Sequence, residues 1–180
     1  SRLTQHMTVA ADSCLEWLPQ ETLLFGGSLA AIRTVVDLHR SARFIGWDIL
    51  ALGRSLSGDH YDSGALDQRF ELNREGTPLL RERLSLKAND PLTSRQWGLQ
   101  GHSVTGMLVA YPADSTVRNA VRKGLSESAM AGVTLVDGVL VLRVLSDGIE
   151  AARSSLESAL RAIRGVVTGH SFRDIRIWQT

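Results

Sequence analysis

Ten residues, Arg43-Phe44-Ile45-Gly46-Trp47-Asp48-Ile49-Leu50-Ala51-Leu52, constrain the fold more than any other segment. The run is apolar on both parities, rich in aromatic and branched side chains, and bounded by Gly53. A run this short and of this composition suits a strand buried on both faces better than a helix. Burying it takes a real core. With 43% apolar and 22% charged residues over 180 positions, the chain has the composition of a folded domain and not of a disordered one. The length suits one domain.

The rest of the first half also reads as strands. Leu3 to Val9 is strand-like. Arg69–Asn73 and Leu79–Leu86 flank Glu75-Gly76, which predicts a hairpin with a longer loop. Polar, glycine-containing stretches at 55–64 and 88–101 predict connections. The second half changes character. Thr105–Tyr111 predicts a strand, and Asp114 or Ser115 caps a helix with Val117, Val121 and Leu125 on one face. Two strands then meet at Asp137-Gly138, a pair that tolerates the positive φ of a two-residue turn. Asp147 and Glu150 have capping-box spacing, and Ile149, Leu156, Leu160, Ile163 and Val167 mark the apolar face of a second helix. The expected fold is mostly β with an α+β C-terminal part. Residues 1–104 form a β-rich body, residues 105–180 a strand–helix–hairpin–helix unit, and the helices lie at about 115–129 and 148–167.

Charge and motifs exclude more than they assign. Twenty basic side chains against 19 acidic ones leave a net charge of +1, which gives no electrostatic case for nucleic acid or an anionic membrane. The single cysteine, Cys14, cannot build a disulfide framework and fits a reducing, cytoplasmic setting. No segment approaches the roughly 18 apolar residues of a membrane span. His6, His39, His60, His102 and His170 share no metal-clamp spacing. Gly101-His102-Ser103-Val104-Thr105 misses the nucleophile-elbow pattern because Thr105 replaces its second glycine. Asp59, His60 and Asp62 lack the remaining ligands of a calcium loop and read as a polar turn.

Two carboxylates break their strand patterns. Asp48 shares a parity with Phe44, Leu50 and Leu52, and Glu82 shares one with Leu80, Leu84 and Leu86. A carboxylate facing a core costs several kcal/mol unless something compensates it. Three arrangements do so: an arginine partner, an acid–base role, or a water-filled cavity. With 18 arginines and two lysines in the chain, the arginine pair is readily made. No nucleophile or metal cluster accompanies either acid to favour catalysis.

Several segments together resemble the UreD (UreH) family of urease accessory scaffolds. They are Leu15-Glu16-Trp17-Leu18-Pro19-Gln20-Glu21-Thr22, the run from Arg43 to Arg54, and Ser57-Gly58-Asp59 with Gly64. Arg69-Phe70-Glu71-Leu72, Pro78-Leu79-Leu80, Glu82-Arg83-Leu84 and the terminal Arg176-Ile177-Trp178-Gln179-Thr180 complete the set. The resemblance implies a stacked, helical β-sheet arrangement with a few helices and no enzymatic activity. It implies binding to apo-urease and to the helical accessory protein UreF, which recruits the GTPase UreG. Nickel is then cargo in transit through an acid-lined tunnel, with no tightly bound cofactor. Asp48 and Glu82 stand where the family places such acids, with Glu21 as a third. Scattered carboxylates suit transit, because grouped imidazoles and thiolates would hold nickel too tightly. The alternative is a protein–protein interaction domain whose inward acids are paired to arginines; a hydrolase using Ser103 and His102 is a third reading.

The resemblance also implies departures. Family members carry a further N-terminal portion with a Gly-Gly-Asp-type motif that lies outside this sequence, leaving a sheet edge to be covered. Ala51 stands where some members have a thiol.

Overall fold

A computed structural model describes residues 1–54 and 57–172. Among the described residues, ten strands form two sheets, and three helices accompany them. The first sheet contains β1 (Arg2–Val9), β4 (Leu29–Leu38), β6 (Ala65–Arg74) and β7 (Thr77–Lys87), in the order β1-β4-β6-β7. The second has β5 (Arg43–Leu52) next to β8 (Val104–Tyr111), then β10 (Val139–Ser146) and β9 (Met130–Val136). Two short strands, β2 (Cys14–Trp17) and β3 (Thr22–Leu24), pair in parallel along the other side of β5.

From β1 to β6 the chain alternates between sheets. Strands β1, β4 and β6 lie parallel in one sheet, and each crossover runs through the other sheet, as β2 and β3 in the first and as β5 in the second. This winding meets the need for a long crossover between parallel strands without a helix. It gives the body the coiled β arrangement expected from the resemblance.

The run at 43–52 is strand β5, buried along both faces apart from Arg43 and Asp48, which are part-buried. Its two parities serve two cores. Ile45, Trp47, Ile49 and Ala51 pack with β8 and β10 against α2 (Ser115–Gly124) and α3 (Ile149–Thr168). Phe44, Leu50 and Leu52 face the first sheet. Two covering layers explain why the run lacks alternation.

Local chemistry fixes the ends of these elements. Asp114 caps α2, accepting a 2.9 Å hydrogen bond from the Val117 amide. Asp137 and Gly138 have φ of 48° and 77°, forming the expected two-residue turn. Glu75-Gly76 does the same at 49° and 75°, so this hairpin has a tight turn and not a longer loop. The α2 helix ends at Gly124, before the expected 129, and β9 begins at Met130 with Gly132 inside it. The Asp147–Glu150 box does not form. Gly148 is the N-cap of α3 without a side-chain cap, and Asp147 instead bonds His102 Nδ1 at 2.9 Å. A one-turn helix, α1 (Pro91–Ser94), interrupts the expected connection at 88–101; its N-cap Asp90 accepts from the Leu92 amide at 2.8 Å. The terminal segment 176–180 lies outside the described residues.

Candidate functional site

The apolar packing between the two sheets is split in two. One cluster gathers around Phe44, Phe70, Leu72 and Val141, the other around Leu50, Leu52, Leu66 and Leu86. A polar layer crosses the gap between them, and strand register builds it. Asp48 on β5 lies opposite Met107 on β8, which lies opposite Arg143 on β10. From the facing sheet, Gln68 on β6 and Glu82 on β7 point inward among leucines and phenylalanine.

Within this layer, two contacts among the described residues bridge the sheets. Gln68 Nε2 donates to Asp48 Oδ2 at 2.5 Å, and Arg143 forms an ion pair with Glu82. Both acids line one cavity of ≈ 310 Å³. Leu92, Trp97 and Leu99, from α1 and the loop after it, also line it. That loop is folded tightly: the Leu99 amide donates to the Leu92 carbonyl at 2.7 Å, and a Cβ on Gly98 would lie 2.0 Å from the same oxygen.

The two acids differ in electrostatics. Glu82 has a side chain 27% exposed and is neutralised by Arg143. Asp48 is part-buried and has no cationic side chain within ion-pair distance among the described residues. Burial pushes its pKa up from 3.8 to about 6, while hydrogen bonds from Gln68 and the Ile49 amide restrain the rise. At neutral pH it is therefore an ionised carboxylate held by neutral donors. A cation entering the cavity would relieve its lost solvation.

Glu21 lies elsewhere. It forms an ion pair with Arg153 of α3, which also donates to Gln20 Oε1 at 3.0 Å, and it does not line the cavity. Nearby, Glu16 accepts from Arg164 at 2.7 Å. Ser103 is not among the cavity's lining residues either, and His102 is occupied by Asp147. Asp59 closes a turn, accepting from the Gly26 and Tyr61 amides. Among the described residues, no group of three or more His, Cys, Asp or Glu side chains is disposed to hold a metal ion. No helix of the described residues is long and apolar enough to cross a membrane.

Sequence reasoning singled out Asp48 and Glu82 but missed Gln68 and Arg143. The same signal marks both: Gln68 shares a parity with Leu66 and Phe70, and Arg143 with Val139, Val141 and Leu145.

Comparison with known proteins identifies the family. The family model described as UreD urease accessory protein matches residues 1–179. A protein named urease accessory protein UreD from Alkalilimnicola ehrlichii is 44% identical over 98% of this chain and 61% of its own length. Those of the same name from Nitrosococcus oceani and Saccharophagus degradans are 38% and 33% identical, covering 92% and 96% of this chain. The chain spans about three-fifths of the length of these relatives, 61%, 56% and 60% respectively. The chain belongs to the UreD family of urease accessory proteins.

Proposed function

We propose that this chain serves as a scaffold in urease maturation and that its inter-sheet cavity is a station for nickel in transit to apo-urease. Family membership supports the maturation role. The observation that carries the nickel reading is Asp48, a carboxylate in a cavity, held by a neutral amide and lacking a cationic partner among the described residues. One carboxylate and one amide oxygen are too few for a resident nickel site and suit an ion that must leave again. Glu82 stands in the same cavity, where Arg143 keeps it neutralised until a competing cation arrives. Glu21 is kept as a third acid only if the path continues on the helix side, where Arg153 now holds it. The partners in this reading are apo-urease, UreF, and UreG through UreF.

Co-purification tests the scaffold role. The chain, tagged and co-expressed with urease subunits and the helical accessory partner, is expected to retain both, with and without added nickel. Failure to retain either one overturns the scaffold reading. The conduit reading fails separately if Asp48→Ala or Glu82→Ala precipitates or releases the partners, since the acid would then be structural. A pure interaction domain remains the second reading, favoured by the Glu82–Arg143 and Glu21–Arg153 pairs.

A further inference from the structure

The outer face of the four-stranded sheet carries an unusual register. Arg33 on β4 lies directly opposite Arg69 on β6, which lies directly opposite Arg83 on β7. Like charges placed directly across strands destabilise a sheet. Here the cost is offset by two carboxylates on β6, one on each side of Arg69. Asp67 bonds Arg69 and Arg83, and Glu71 bonds Arg33 and Arg81.

The depth of these groups decides what a partner meets. The side chains of Glu71 and Asp67 are 14% and 34% exposed, whereas those of Arg33, Arg69, Arg81 and Arg83 are 49–62% exposed. The acids sit beneath a layer of guanidinium groups. Arg81 and Arg83 each give one N–H to a carboxylate, leaving most of their donors outward. Arg2, at the edge on β1, borders a shallow depression together with Arg33, Arg69 and Arg81. A chain with a net charge of only +1 has thus sorted an arginine-rich surface onto one face.

We infer that this arginine row is a docking surface for an acidic protein partner, whose carboxylates meet Arg33, Arg69 and Arg83 in bidentate contacts. Charge complementarity is the basis for this choice, and arginine's planar fork matches carboxylate geometry. A nucleic acid fits less well. The strand residues on this face include no Phe, Tyr or Trp on which bases could stack, and its interleaved carboxylates would repel a continuous phosphate chain. The inference does not use the nickel path: Arg33, Arg69 and Arg83 have the strand parity opposite to Gln68 and Glu82, and of the three only Arg83 also borders the cavity.

The test uses the chain with a fluorescein-labelled oligoglutamate peptide, read by anisotropy at low and at physiological salt. The triple variant Arg33→Gln/Arg69→Gln/Arg83→Gln is compared with Arg118→Gln/Arg122→Gln/Lys123→Gln, which removes the same charge from α2. The row variant is expected to lose about tenfold in affinity and the α2 variant less than about twofold. Arg83→Gln alone, on edge strand β7, is expected to lose about threefold and covers the case in which the triple variant does not fold. Equal losses from the two triple variants, or unchanged binding by Arg83→Gln, overturn the inference. So does tighter binding of a labelled DNA duplex that depends on the same three arginines.

Discussion

Replacing Asp48 with asparagine removes a charge while keeping the size of the side chain. Gln68 can rotate its amide and accept from the new Asn amide, so the bridge between sheets survives. The Asp48 pKa is about 6 in the folded chain against 3.8 in the reference state. A difference of about two units corresponds to about 3 kcal/mol. The sign follows from proton uptake. Below pH 3.8 the carboxyl is protonated in both states and costs nothing. Between 3.8 and about 6 the unfolded chain has released its proton and the folded chain has not, so stability falls as pH rises. Above that window the deficit is constant. Asp48→Asn is therefore expected to be more stable than the parent chain by up to about 3 kcal/mol at pH 7, about 6–12 °C in Tm at this size. Near pH 4 the two should be nearly equal. Urea unfolding at a series of pH values reads this directly. An advantage that does not change with pH, or an Asn variant that is weaker at pH 7, would refute the reasoning and indicate a well-compensated carboxylate.

Three other perturbations probe the surroundings. Gly46→Ala places a Cβ 2.3 Å from Phe44 Cζ beside the polar layer, and should cost about 1–3 kcal/mol in urea unfolding by displacing that ring. Arg143→Met should change stability by less than about 1 kcal/mol, since its side chain is 46% exposed, yet free Glu82 beside Asp48. Calorimetric titration with nickel should then show severalfold tighter, still weak, binding. Cys14 should react with iodoacetamide more slowly than a free thiol at mildly alkaline pH, because burial and then the Glu16 charge raise its pKa. Unfolding the chain should restore the ordinary rate.

Much of this arrangement is legible in local pattern. The β5 run, the Asp114 cap and the Asp137-Gly138 turn follow from residues within a few positions of one another. Parity places Asp48 and Glu82 against the core because a strand's side chains alternate whatever it pairs with. What each acid meets is not local. Arg143 reaches Glu82 from 61 residues away, and Gln68 meets Asp48 across the gap between sheets, so which acid gains a cation depends on sheet stacking. The alternation of strands between two sheets is equally non-local, since β4 pairs with β6 past an intervening β5. The α1 helix is too short to show a periodicity, and the Asp147 cap was lost to a contact with His102, 45 residues away in sequence. The arginine row emerges only once three strands are in register.

The nickel content of urease purified from cells co-expressing this scaffold tests the central proposal most directly. With Asp48→Asn, the scaffold should remain folded and bound in the maturation complex, while urease acquires markedly less nickel and activity than with the parent chain. Equal nickel loading with the Asn variant would contradict a path through this cavity and leave the chain as a docking scaffold alone.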